Sequence, residues 1–423
     1  MISRIFTIAC LFAMSFPMQA QWMQVGDSAN SNINVMKEYN GTLYFGGNMT
    51  RFNGQQTYGS MTYNGTTFGY HSTLIGGNGF SCLEEYNGNL YGGGGMAQSG
   101  LSGTVLWGGG SWQAGPIATN NVVNVNAMLA WNDQLIIGGG FTTPAPFIMQ
   151  YNGTTSSVMG AGFDAGVLAL ATYDGDLYAA GSFTLSGSTV LDKIAKWNGS
   201  AWVNVGGGMN NNCSELVAYN GQLYASGSFT MAGSVSTSRI ARWNGTTWSA
   251  VAGGITTALG GYVSTLQVTS AGLLVGGKGM NAGTVTDANV LLFNGTSWSA
   301  VPGIPTNETV LDIEEYQGLV YAVGYRGGLG PAGHVYKNSA VGFEELDAFP
   351  ALLIYPNPTN DLLQLQGVPA GQVRYEVLDA TGRMCMVGSL NNTVDVSALL
   401  PGAYQIRITT SQASTIRGFV RAR

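Results

Sequence analysis

Apolar residues alternate with polar ones in short runs, and each run is cut by glycine, asparagine or aspartate. A period of two bounded by turn residues predicts half-buried strands joined by tight turns rather than helices. One such unit returns seven times. It reads Tyr39-Asn40-Gly41-Thr42-Leu43-Tyr44, then recurs from Tyr86, Trp131, Tyr173, Tyr219 and Tyr316, with a degenerate copy from Thr269. Asn-Gly at the centre of a two-residue loop accepts positive φ at both positions, as a type I′ hairpin requires. Three residues before each copy stands a large apolar residue: Met36, Leu83, Met128, Leu170, Leu216, Leu266 and Ile313. This position is expected to pack on an inner strand.

A second hairpin occupies the other half of each unit and has six copies. They include Tyr63-Asn64-Gly65-Thr66-Thr67-Phe68, Trp197 to Trp202 and Trp243 to Trp248. Aromatic residues on both sides of the turn suit cross-strand pairing. The seventh unit reaches Val335-Tyr336-Lys337-Asn338 and then loses the pattern, while Gln21-Trp22-Met23-Gln24-Val25 near the N-terminus matches the ends of other units. The first strand is therefore expected to complete the last unit, which leaves only short, protected sheet edges. Repeats of about 40–50 residues are the length of four-stranded propeller blades. The fold class expected is all-β: a seven-bladed β-propeller over residues 21–340, closed by the N-terminal strand. In period and hairpin layout it resembles the kelch and galactose-oxidase-like propellers, without their double-glycine strand in every unit.

The repeat stops near Phe343. A linker is expected over 341–352 and a small Ig-like β-sandwich over 353–423. The tail carries Tyr355-Pro356-Asn357-Pro358, then Asp379 to Gly382-Arg383, then Leu399 to Gly402-Ala403-Tyr404 and a basic, apolar end. These pieces, in this order, resemble the C-terminal sorting domain of the type IX (Por) secretion system of Bacteroidetes. The resemblance implies that Pro356, Asn357, Pro358, Gly382, Arg383, Gly402 and Tyr404 form the sorting motif and that the type IX machinery is a partner. It also implies export to the cell surface or the medium. At the other end, Arg4 followed by the apolar stretch Ile5 to Phe16 and a small residue at Ala20 reads as a signal peptide over 1–20.

Composition narrows the function. Only 9% of residues are charged, against about 25% in ordinary soluble proteins. The net charge is −6 with no basic patch, which argues against nucleic acid. No stretch is long and apolar enough for a transmembrane segment. Cys82, Cys213 and Cys385 lack metal-ligand spacing, and the two histidines, His71 and His334, stand at non-equivalent places in the repeat. No cofactor and no metal is expected, and no catalytic residue is assigned. Glu38, Glu84-Glu85 and Glu314-Glu315 precede the first hairpin in three units. They read first as solvated strand ends. The alternative is a secreted carbohydrate-active enzyme using channel-mouth carboxylates. The variable loops opposite the hairpins are where a ligand is expected. Arg51, Tyr58, His71, Tyr325 and Arg326 lie there, around the junction of the first and last units, and suit a glycan or protein ligand. The function expected is a non-catalytic, adhesin-like surface module.

Overall fold

The computed structural model describes residues 22–71, 79–96, 103–117, 124–327 and 333–338 of the body. In the tail it describes 353–356, 359–366, 368, 373–379, 384–390, 392–409 and 414–422. The expected signal peptide and linker lie outside the described residues. So do Asn357, Pro358, Gly382 and Arg383 of the expected sorting motif. The chain divides into two compact units, 1–341 and 342–423.

The described residues of the first unit are strands and turns. They form seven four-stranded antiparallel sheets, six of them in simple chain order. Sheet 1 runs Ile33–Tyr39, Thr42–Gly47, Ser60–Tyr63 and Phe68–Tyr70. Sheets 2 to 6 begin with Gly79–Tyr86, Val125–Trp131, Val167–Tyr173, Cys213–Tyr219 and Thr256–Thr269. Sheet 7 has Glu308–Tyr316, Leu319–Arg326 and Gly333–Asn338 from the end of the body. Its fourth strand is Trp22–Gln24, in the register Trp22 opposite Asn338 and Gln24 opposite Tyr336. Each sheet's first strand touches the first strand of the next sheet, and Glu308–Tyr316 touches Ile33–Tyr39. All-β architecture with propeller-like sheets is thus what the structure displays.

Local chemistry accounts for these sheets. At the first hairpin, φ is positive at both loop positions: Asn40 (51°) and Gly41 (72°), Asn87 (50°) and Gly88 (69°), Asn220 (48°) and Gly221 (69°). These are the expected I′ turns. The second Asn-Gly behaves differently. Tyr63 pairs with Phe68 across a four-residue loop, and only Gly65 has positive φ. There the Asn64 Oδ1 accepts the N–H groups of Thr66 and Thr67 and the hydroxyl of Thr66. Asn152, Asn198, Asn244 and Asn294 repeat this arrangement. The side chain replaces backbone turn bonds, so the asparagine keeps an ordinary φ.

The apolar position before the first hairpin is buried in six sheets, and Leu170 is partly buried against the same kind of core. Small residues let the sheets approach: a β-carbon on Gly46 would stand 2.5 Å from that of Phe80 in sheet 2. Aromatic hydroxyls and indoles then stitch sheet to sheet. Tyr39 donates to the Gly88 carbonyl (2.8 Å), Tyr86 to Asp133 (2.9 Å), Trp131 to Gly175 (3.0 Å) and Tyr173 to Gly221 (3.1 Å). Tyr316 in sheet 7 donates to Gly41 in sheet 1 at 2.8 Å.

The second unit has a three-stranded sheet built on Leu362–Gln366 and a four-stranded sheet built on Arg374–Asp379 and Gly402–Thr409. Leu363, Leu365 and Val394 from one sheet share a core with Val377, Ile406, Ile408 and Phe419 from the other. Tyr404 stacks on Phe419 and donates to the Leu400 carbonyl at 2.8 Å.

Candidate functional site

In an up-and-down sheet the first and third turns fall on one face. Gly65 of one hairpin accordingly lies against Gln317 of another, and Gly153 against Asn87. The second connection falls on the opposite, loop face. In sheets 1, 4 and 5 it folds as a short separate ribbon, such as Arg51–Phe52 with Gln55–Gln56. In sheet 6 the ribbon is continuous with the strands, so Thr256–Thr269 and Gly272–Ala282 reach 14 and 11 residues, against 7 and 6 in sheet 5. The extension carries Tyr262 and Lys278 onto the loop face, beside the end of sheet 7.

There, Glu308 and Arg326 stand opposite each other in register. Arg326 Nε donates to Glu308 Oε1 at 2.8 Å, and Tyr336 donates its hydroxyl to the same oxygen at 3.1 Å. His334 Nδ1 also lies 3.1 Å from it, without the alignment of a hydrogen bond. Burial alone would raise the Glu308 carboxyl, but His334 and Arg326 reverse this and hold it below the ordinary range. The Glu308 side chain is 2% exposed while that of Arg326 is 41% exposed. A buried carboxylate thus aims a guanidinium whose end meets solvent. Beside it the hydroxyls of Tyr262 and Tyr325 are 3.1 Å apart. Burial, and then each other's company, pushes the Tyr262 phenol well up, so it stays a neutral donor.

The structure brings together two of the five expected ligand residues, Tyr325 and Arg326. Arg51 is exposed on its own ribbon, where Asn30 Oδ1 accepts the Thr50 and Arg51 N–H groups at 2.9 Å each. Tyr58 has positive φ (52°) and donates to Gln56 Oε1. This ribbon adjoins sheet 7: Ala29 bridges both Phe52 and Gly333, and Gly333 pairs with Tyr325. Three strand spacings of about 4.8 Å put Tyr325 and Phe52 roughly 14 Å apart.

His71 is no loop-face ligand group in this structure. It is 8% exposed, packs on Trp107 with ring centroids 4.4 Å apart, and its Nδ1 lies 2.8 Å from Ser60 Oγ. Trp112 Nε1 donates to that oxygen at 2.8 Å. An indole can only donate, so the Ser60 oxygen accepts from Trp112 and keeps its own proton free for a partner such as Nδ1. Burial lowers the His71 pKa to about 4. Sequence reasoning passed over Tyr262, Lys278, Glu308 and Tyr336. The 50-residue spacing and the degenerate hairpin at Thr269 were the available signal that sheet 6 is unusual.

The inner carboxylates are more than solvated strand ends. Asp312 Oδ2 accepts the Met36 N–H at 2.6 Å, Glu84 Oε1 accepts that of Ala130 at 3.1 Å, and Glu315 Oε2 accepts that of Ser270 at 3.0 Å. The first two cap N–H groups that a neighbouring sheet's first strand leaves unpaired, and Glu315 caps the turn that follows one. Glu38 caps its own turn at Gly41. Lys37 pairs with Glu84 at 3.1 Å. Burial raises Asp312 and Glu314 to about 7, and raises Glu215 well above the carboxylate range with help from Asp312. A cavity of about 360 Å³ lies on the hairpin face between Tyr86 and Trp131. It follows from the stitch of Tyr86 to Asp133, which the repeat makes elsewhere too. Among the described residues no cluster of His, Cys, Asp and Glu could hold a metal ion. None of their helices is long and apolar enough to cross a membrane.

With the tail's two-sheet core and its Gly402–Thr409 strand placed, the comparison with known families is decisive for that unit. Residues 353–421 match the secretion system C-terminal sorting domain. The sorting domain implies engagement of the type IX secretion machinery, and the protein is accordingly exported, to the cell surface or beyond it. In fold the chain is similar to the extracellular domain of a protein described as a hybrid two-component system of B. thetaiotaomicron. The TM-score is 0.51 and the identity 11%, over 96% of this chain and 58% of that one. The extracellular domain of a one-component system from the same organism gives 0.48 and 13%, over 95% and 59%. A Trypanosoma rangeli sialidase in complex with the inhibitor DANA gives 0.38 and 9%, over 93% and 85%. The chain spans under two thirds of the first two structures. Identities this low speak for fold alone, and the two scores under 0.5 carry no argument. No curated protein matches the chain.

Proposed function

We propose that the body is a seven-bladed β-propeller closed by Trp22–Gln24, sent out by a signal peptide over 1–20 and the sorting domain, and that it serves as a non-catalytic, adhesin-like binding module. In this reading the propeller spans 21–340, a linker 341–352 and the sorting region 353–423. Its ligand, a glycan or a protein, docks on the loop face where sheet 7 meets its neighbours. One observation carries this reading: buried Glu308 holds Arg326 at the surface beside the Tyr262–Tyr325 pair. A pre-oriented guanidinium among tyrosines binds with little loss of side-chain freedom. Arg51 and Tyr58, on the adjoining ribbon, extend the same face, and His71 supports it from within. The test is binding of the mature protein to a glycan array and to surface-protein extracts. Signal above background that falls with Arg326→Ala is expected; an array left blank, or binding untouched by that change, defeats the proposal.

A second reading has its own observation. Asp312 and Glu314, both raised to about 7, stand near Lys37 and Glu84 and have the proton affinity of general acids. Against it, Asp312 is already spent on the Met36 N–H. Turnover of fluorogenic glycosides that vanishes in Glu314→Gln would favour the enzyme.

A further inference from the structure

We infer that the loop-face patch where sheets 6 and 7 meet selects an anionic glycan, one whose carboxylate or sulfate groups are read by Arg326 and Lys278. This rests on the loop face being the binding face, and adds the ligand's chemistry to it. Tyr262 and Lys278 stand opposite each other in register, so their side chains leave sheet 6 on the same side. The bond from Tyr262 to Tyr325 shows which side that is: it faces sheet 7. Lys278 follows, and its Nζ lies 3.7 Å from where a β-carbon on Gly327 would stand, next in sequence to Arg326.

Charge then decides the ligand. The acidic partner of Arg326, Glu308, is turned inward, and its Oε1 is occupied by Arg326 and Tyr336 with His334 close by. Lys278 makes no ion pair among the described residues. Two cations, Arg326 and Lys278, thus face sheet 7's end against one inward carboxylate, in a chain whose net charge is −6. A neutral sugar would leave that ammonium without a partner in a partly desolvated place, whereas an anion pairs with both cations. The tyrosine rings and hydroxyls offer the apolar face and polar edge that pyranose rings use.

The experiment measures affinity of the mature protein for four polymers: polygalacturonate, its methyl ester, chondroitin sulfate and dextran, with polyglutamate as a peptide polyanion. Binding to polygalacturonate or chondroitin sulfate is expected; both carry uronates, so a preference for the second reports on its added sulfate. The ester and dextran should bind at least about tenfold more weakly, since a charge-assisted hydrogen bond is lost. Lys278→Ala, which breaks no ion pair among the described residues, and Arg326→Lys, which keeps Glu308 neutralised, should each cost about tenfold. Lys196→Ala, whose ion pair with Asp176 is in sheet 4, should change nothing. Equal affinity for acid and ester, preference for polyglutamate, or no binding to either anionic glycan overturns the inference. Arg326-dependent binding to neutral sugars would overturn the ligand class while leaving the binding face standing.

Discussion

Ser60 carries more than its size suggests. Its hydroxyl links the Trp112 indole to the His71 ring. Ser60→Ala leaves both groups buried without a partner, and a loss of about 1–3 kcal/mol is expected in denaturant unfolding, beyond that of an ordinary exposed hydroxyl. The titrating groups act with opposite signs. His71, at about 4 when folded and 6.5 ordinarily, binds its proton more readily in the unfolded chain. Its contribution is whole above pH 6.5 and is lost as pH falls toward 4. Asp312, at about 7 when folded and 3.8 ordinarily, keeps a proton that the unfolded chain releases. Its contribution is whole below about pH 4 and is lost as pH rises through 7. Asp312→Asn retains an oxygen for the Met36 N–H and abolishes this loss. The variant should match the parent near pH 4 and exceed it at pH 8, by on the order of 1 kcal/mol, in unfolding curves taken at both values. A parent advantage at pH 8 would contradict the assignment.

At the scale of elements, two glycines separate two kinds of constraint. Gly41 has φ of 72° and open space around the missing β-carbon, so Gly41→Ala meets backbone strain alone, about 1 kcal/mol. Gly46 has no such φ, yet Gly46→Ala drives a methyl to 2.5 Å from Phe80 Cβ between sheets. A cost of about 1–3 kcal/mol or more is expected there, without rescue by Phe80→Leu, which keeps the Cβ and Cγ that clash, and thermal unfolding of the single and double variants measures it. Three of the first hairpins announced themselves by Asn-Gly, and Asn132-Asp133, Asp174-Gly175 and Gln317-Gly318 take positive φ at both loop positions too, but the degenerate one departs: Thr269 pairs with Gly272 around Ser270-Ala271, and Glu315 binds the Ser270 N–H and hydroxyl instead of an aromatic stitch. The same dipeptide in the second hairpin makes another turn because the following threonines or serines let Asn64 and its equivalents accept three donors. A dipeptide signals a turn, and its neighbours choose the type.

At the largest scale, the pairing of Trp22–Gln24 with Gly333–Asn338 has the longest sequence separation among the described strand pairs, and such a pairing slows folding without weakening the product. Trp22 is buried against sheet 7, and Tyr316 reaches Gly41. Tyr316→Phe removes only the hydroxyl, so a loss of about 0.5–1.5 kcal/mol is expected in chemical denaturation. Deleting 21–25 exposes the edge of Gly333–Asn338 and should cost several times more, with faster hydrogen exchange in sheets 1 and 7 than in sheet 4. Uniform exchange in the deletion variant would sink that expectation.

What the sequence determined by itself was everything written in local chemistry. Turn dipeptides, alternation and the spacing of Met36, Leu83 and their equivalents were enough for strands, hairpins and the partner of Trp22, because each depends on a few adjacent residues repeated seven times. The order of motifs in the tail was enough for its sorting role. The candidate site was legible only in part. Tyr325 and Arg326 were picked out beside a variable connection, but their surroundings come from Glu308, Tyr262 and Lys278, which the chain places 18, 63 and 48 positions away. Only tertiary packing decided that His71 is shut inside between sheets, that Asp312 is held near neutrality beside a strand edge, and that a buried carboxylate aims one arginine outward. Burial and the distance between charges are properties of the folded whole, and no periodicity in the sequence encodes them.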